Sequence, residues 1–202
     1  MLHVFTVCTG NICRSPFAEI ILQDELGDRG VRVASAGVRA LVDQPMTPEA
    51  MQLARQYGVP EPLVGGHRAR WLNESHLAEP DLVLAMTREH RRAVVELAPA
   101  KLRATFTVRE LARLAGLVPD ADAARIADAA GTDPGDRLRA LLAHLGSVRG
   151  ELDPPADPAA DDVVDPYRRA WEVYEQMAGE LMPALGEIVR VLDIATSPPA
   201  SR

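Results

Sequence analysis

Two side chains near the start of the chain have types and a spacing that can act on a phosphate. Cys8 and Arg14 close the run Cys8-Thr9-Gly10-Asn11-Ile12-Cys13-Arg14, and Ser15-Pro16 follows. A turn of this length, with Gly10 supplying backbone freedom, lets successive N–H groups converge on an anion. A helix opening at Ser15 adds about half a positive charge at the same point. Such partial charges favour a thiolate over a thiol, which makes Cys8 a candidate nucleophile. Arg14 offers a planar fork to two phosphate oxygens, a geometry that lysine lacks. The Ser15 hydroxyl can donate to the sulfur as it departs in a second step. Thr9, Gly10, Asn11, Ile12, Cys13 and Ser15 are therefore the expected phosphate loop, with Cys8 and Arg14 as its reactive ends. A small buried cysteine at a strand end would account for Cys8 alone, but not for the residues around it.

The flanking pattern supplies a frame for this loop. Leu2 to Val7 is a short apolar, β-branched run that leads into it as a strand, and Ser15-Pro16 opens a helix to about Leu26. Val31 to Ala34, Asp81 to Met86 and Thr105 to Val108 predict three further strands. Helices are predicted from Pro48 to Gly58, from the Thr87 cap to about Leu97, and from Arg109 to Leu114. Strands alternating with helices imply an α/β fold, a central four-stranded parallel sheet with helices on both faces and ligands beyond the carboxyl ends of the strands. Residues 116–162, rich in Ala, Asp, Gly and Pro, predict a partly mobile insertion with one amphipathic stretch at Asp136 to Leu145. A helical period returns from Tyr167 to Ile194, and 197–202 reads as a disordered tail. The length suits a single domain, 1–196, carrying that insertion.

A net charge of -7, from 22 Lys+Arg against 29 Asp+Glu, argues against nucleic-acid or anionic-membrane binding. The N-terminal apolar run has no cationic lead and breaks at Cys8-Thr9-Gly10, too short for a secretory or membrane-spanning segment, so a soluble, cytoplasmic protein is expected. The two cysteines, Cys8 and Cys13, stand too close to staple distant parts of a fold. No cofactor is expected and no metal, because His67 has no second His or Cys at ligand spacing. His3, His76, His90 and His144 read as ordinary surface or boundary residues.

With Pro16 the loop spells Cys-x-Gly-Asn-x-Cys-Arg-Ser-Pro, and in this the chain resembles the low-molecular-weight protein tyrosine phosphatase family. The likeness covers Met1 to about Leu114 and Val163 to about Leu192. It implies a flavodoxin-like phosphatase fold with the insertion placed before the general-acid loop. It also implies hydrolysis of protein phosphotyrosine through a phosphocysteine intermediate on Cys8. A tyrosyl oxygen, whose phenol has a pKa of about 10, leaves poorly without a proton donor. The family draws that donor from an Asp-Pro pair followed by an aromatic. Of Asp133-Pro134, Asp153-Pro154, Asp157-Pro158 and Asp165-Pro166, only the last is so followed, by Tyr167. The resemblance thus makes Asp165 the general acid, and later the base that activates water. Asn11, Ser35 and His67 match positions that hold the loop in shape. Cys13 either fills the core or, as in the family, condenses with an oxidised Cys8 and protects it.

An arginine-directed subgroup resembles this loop but carries threonine where this chain has Ile12, so phosphotyrosine is the implied substrate. Tyr167 and Leu41 would wall a slot for its phenyl ring. Ser35-Ala36-Gly37, Ala40-Leu41-Val42 and Pro45 look like bacterial exopolysaccharide-linked members, which implies a tyrosine kinase or its targets as partner and a monomer or weak homodimer. The alternatives are a protein arginine phosphatase, an arsenate reductase of the same fold, which would need cysteines beyond Cys13, and a catalytically silent phosphotyrosine-binding module. The insertion reads as a tolerated surface excursion or as a docking or dimer-forming element.

Overall fold

The computed structural model describes residues 1–153 and 155–199. Strands β1 (Leu2–Cys8), β2 (Val31–Gly37), β3 (Leu82–Ala85) and β4 (Thr105–Thr107) form one parallel sheet in the order β2-β1-β3-β4. This is the four-stranded parallel α/β arrangement expected from the alternation of strands and helices, in the flavodoxin-like form that the resemblance implied. The chain steps to one side of β1 and then to the other, which opens a crevice beyond the carboxyl end of β1. The helices among the described residues are α1 (Arg14–Leu26), α2 (Pro48–Gln56), α3 (Glu61–Gly66), α4 (Arg88–Leu97), α5 (Val108–Ala115), α6 (Asp120–Ala129), α7 (Pro134–Glu151) and α8 (Trp171–Thr196).

The period of two along β1 divides the core. Leu2, Val4 and Cys8 join the larger cluster, with α1, α5 and α8, while Phe5 and Val7 join a smaller one with Val83, Leu77 and Val94 of α4. A strand buried on both faces reads as a continuous apolar run, as Leu2 to Val7 does. Thr47, Thr87 and Thr107 start α2, α4 and α5 by accepting N–H groups of the first turn, and Thr107 closes a capping box with Glu110.

Three predictions need correction. β2 continues past Ala34 to Gly37, because Ser35-Ala36-Gly37 stays paired with Thr6-Val7-Cys8. The closing helix starts at Trp171, not Tyr167, since Arg168 takes a φ of 59°, a left-handed conformation that interrupts a helix. Residues 116–162 are far more ordered in secondary structure than a loose excursion with one short helix. They form α6 and α7, and Leu138, Leu141, Leu142 and Leu145 of α7 are buried in the same core as α8.

Several side chains join α6 and α7 to the rest, among them Arg149, paired with Glu110 of α5, and Asp120, paired with Arg190 of α8. Arg137, 2% exposed, donates to Ala195 O (3.1 Å) and Ile194 O (2.9 Å) at the end of α8 and pairs with Asp128 (2.7 Å). Beyond α8, 197–199 have no regular structure. The remainder of the expected tail, 200–202, and Pro154 of the Asp153-Pro154 pair lie outside the described residues. No helix among the described residues is long and apolar enough to cross a membrane.

Candidate active site

β1 carries Cys8 to the carboxyl edge of the sheet and α1 begins at Arg14, so the loop between them sits in the crevice. The carbonyl groups of Cys8 through Ile12 are each held from outside. Val38 N donates to Cys8 O (3.0 Å), Arg39 N to Thr9 O (2.9 Å), Leu41 N to Gly10 O (3.0 Å) and Thr47 N to Ile12 O (2.9 Å). His67 Nε2 donates to Asn11 O (2.8 Å). In a trans peptide the next N–H points opposite to the C=O. The outward carbonyls therefore turn the N–H groups of Thr9 through Cys13 inward, and Asn11 N does donate to Cys8 Sγ (3.3 Å). Gly37 permits this closeness, for a Cβ there would lie 2.4 Å from Thr9 O.

A polar cluster backs the loop. Asn11 has a φ of 57°, in the left-handed region that asparagine tolerates. Its Nδ2 donates to Ser15 Oγ (3.0 Å) and Ser35 Oγ (2.7 Å), and its Oδ1 accepts from Arg70 N (2.9 Å). Ser15 passes its own proton toward Cys8 Sγ (2.9 Å), and Ser35 donates to Glu19. Glu19 also lies 3.4 Å from His67 Nδ1 and 3.6 Å from Arg70 Nη2. The structure thus brings Asn11, Ser35 and His67 together as expected, around a carboxylate the sequence reading missed. The available signal was spacing: Glu19 stands four residues after Ser15, on the same face of α1.

Arg14 is 4% exposed. Its Nη1 donates to Val163 O (3.3 Å), and its Nη2 lies 2.8 Å from Asp165 Oδ2. Its buried Nε has no partner among the described residues. The segment that carries Asp165 is tied to the end of β3 by Val163 N donating to Met86 O (2.8 Å), and to α8 by Val164 N donating to Glu180 (2.8 Å). These ties hold Asp165 at the loop. Asp133, by contrast, caps α7, accepting from Gly135 N and Asp136 N. Cys8, Thr9, Gly10, Ile12, Cys13, Arg14, Arg39, Leu41, Asp165 and Tyr167 line one cavity of about 130 Å³. Leu41 and Tyr167, the expected walls, both reach it, and Arg168 stacks its guanidinium 5.0 Å from the Tyr167 ring centre.

Two further side chains differ from expectation or sharpen it. His90 is buried, not a surface residue, and its Nε2 lies 2.8 Å from Thr9 Oγ1. Burial, with Arg14 and Arg39 nearby, pushes its pKa down to about 3. Cys13 is buried beside Thr47 (3.6 Å) and Tyr174 (3.8 Å). Burial pushes the Cys13 thiol up to about 11, so it is neutral where Cys8 would act. Inward amides, a helix start and a guanidinium facing a thiol can together hold a tetrahedral anion in line with the sulfur.

The chain is similar to several known proteins. A family model described as low molecular weight phosphotyrosine protein phosphatase matches residues 3–145, which include Cys8 and Arg14 but end before Asp165. Low molecular weight protein-tyrosine phosphatase A of Mycobacterium bovis is 39% identical over 121 residues, 54% of this chain and 69% of the relative. A protein-arginine-phosphatase of Geobacillus stearothermophilus is 35% identical over 108 residues, 54% of this chain and 70% of the relative. The crystal structure of a low molecular weight protein tyrosine phosphatase from T. tengcongensis superposes with a TM-score of 0.63 at 29% identity, over 94% of this chain and 98% of that one.

Proposed function

Because the chain belongs to the low molecular weight phosphotyrosine protein phosphatase family, we propose that it hydrolyses protein phosphotyrosine through a phosphocysteine on Cys8. The observation that carries this reading is the set of outward-bound carbonyls, which aims the loop amides at the space in front of Cys8 Sγ. Cys8 Sγ attacks phosphorus in line, and the bond to the tyrosyl oxygen breaks as Asp165 delivers a proton to that oxygen. The loop amides and Arg14 hold the equatorial oxygens as charge spreads over them. Asp165 then takes a proton from water, the water oxygen bonds to phosphorus, and the P–S bond breaks. The departing sulfur is stabilised by Ser15 Oγ and Asn11 N.

Tyrosine rather than arginine is favoured by the apolar walls. Ile12, Leu41 and Tyr167 line the cavity, and a flat ring gains from such apolar contacts. Cys13 in the same cavity supports a protective role: a Cys8 sulfenic acid would condense with the Cys13 thiol to a disulfide and water. A bacterial tyrosine kinase or one of its targets fits as the protein substrate, in the cytoplasm.

Phosphate release from phosphotyrosine and phosphoarginine peptides tests the reading, with Cys8→Ser, Asp165→Asn and Ile12→Thr alongside. Phosphotyrosine turnover should fall at least about a thousandfold in Cys8→Ser and about a hundredfold in Asp165→Asn. Phosphoarginine should be poorly used until Ile12 is replaced. Peptide binding without turnover in the unaltered protein would make this a recognition module.

A further inference from the structure

The ring of His90 spans two hydroxyl groups. Its Nδ1 lies 2.8 Å from Thr87 Oγ1 and its Nε2 2.8 Å from Thr9 Oγ1. A neutral imidazole carries one proton, and which nitrogen holds it follows from the partners. Thr87 Oγ1 already accepts the backbone N–H of His90 (3.2 Å) as the cap of α4. Its own proton finds an acceptor in Nδ1. With that proton given to Nδ1, the ring proton sits on Nε2 and is donated to Thr9 Oγ1, the tautomer on which the inference rests. Thr9 Oγ1 also faces Arg14 Nη2 at 3.4 Å, a second donor. With both lone pairs engaged, the Thr9 hydroxyl has only its proton left to offer, and Thr9 lines the cavity before Cys8.

We infer that His90 is a positioning residue that turns the Thr9 hydroxyl proton into the cavity, where it donates to a phosphoryl oxygen in addition to the loop amides and Arg14. In the opposite tautomer the Thr9 proton points at Nε2 and the hydroxyl gives nothing to an anion. His90 itself does not touch the phosphoryl group. The inference rests on the loop being a phosphate site, as proposed above.

Two measurements test it. Nitrogen NMR of the His90 ring should find the proton on Nε2; a proton on Nδ1 overturns the inference. Inhibition of phosphotyrosine-peptide turnover by inorganic phosphate should then be compared in the unaltered protein, Thr9→Val, His90→Phe and the double variant. Thr9→Val should raise the phosphate inhibition constant about tenfold, the scale of one hydrogen bond to a charged group. His90→Phe should raise it about threefold or more, and should add nothing once Thr9 is valine, because both changes act through one hydroxyl. An equal effect of His90→Phe in both backgrounds, or no effect of Thr9→Val, overturns it. If His90→Phe does not fold, the tautomer and Thr9→Val still decide. Failure of the unaltered protein to bind phosphate or turn over peptide would instead count against the phosphatase reading.

Discussion

Around Cys8 the backbone is fixed almost wholly by directional bonds. Amides from the segment after β2 hold Cys8, Thr9, Gly10 and Ile12, His67 holds Asn11, and the Asn11 side chain ties Ser15, Ser35 and Arg70 together. The helical pair α6–α7 is fixed differently, by leucines buried against α8 and by guanidinium groups at its margins: Arg137 at the end of α8, Arg149 on Glu110 of α5, and Arg190 of α8 on Asp120. Apolar burial contributes about 1.5–3 kcal/mol per large side chain, but it specifies position loosely. Hydrogen bonds contribute less each and specify angles. Chemistry at a phosphorus atom needs placement within about 0.5 Å, which is why the loop uses the second means. The α6–α7 pair needs only to stay docked.

The sharpest test of this contrast is Arg137→Ala. Leaving Asp128 and the α8 carbonyls without the buried cation should cost about 3–5 kcal/mol in chemical denaturation, with kcat/KM of the folded protein unchanged. A large loss of kcat/KM would mean that the addition helps to shape the site after all. Asn11→Ala should act the other way. It should cost about 2–4 kcal/mol, from unsatisfied buried partners and an alanine at positive φ, and turnover at saturating substrate should drop at least about tenfold even where the protein is fully folded.

A smaller effect is set by pH. His90 is neutral when folded, with its pKa pushed from 6.5 down to about 3, so between those values the unfolded chain binds the extra proton. Stability from this group is therefore full above about pH 6.5 and falls by about 1.4 kcal/mol per unit below it, or about 2 kcal/mol by pH 5. His3 and His76, also lowered by burial, act in the same direction. Urea midpoints at pH 6.5 and 5 should lie closer together in His90→Gln than in the unaltered protein; an unchanged slope would remove His90 from the account. The exposed pair Arg92–Glu96 on α4 sets the floor. Arg92→Ala should change stability by less than about 0.5 kcal/mol and leave turnover alone.

The same contrast explains what could be read from residue order. The loop was legible because Cys8, Gly10, Asn11, Arg14 and Ser15 lie within one short stretch and each has a chemical reason to be there. Strands with continuous apolar runs were legible too. Glu19 and His90 were not, since their roles depend on which segments the topology brings beside the loop. α6 escaped because an alanine- and aspartate-rich stretch such as Asp120-Ala121-Asp122-Ala123-Ala124 shows little apolar period. Its helix is held by a neighbour, not by its own pattern. Asp165 was singled out by the aromatic Tyr167 after its Asp-Pro pair and by the closing helix that follows, and its carboxylate lies 2.8 Å from Arg14 Nη2.

The outward carbonyls bear on selectivity. Amides locked at one radius before any ligand arrives recognise a tetrahedral outline and its size, and they make no use of what the anion is attached to. Oxyanions of similar shape should therefore compete for the cradle on nearly equal terms. The identity of the substrate must be read by side chains at its mouth, those of Ile12, Leu41 and Tyr167, so changes there should redirect the enzyme to new leaving groups without rebuilding its centre.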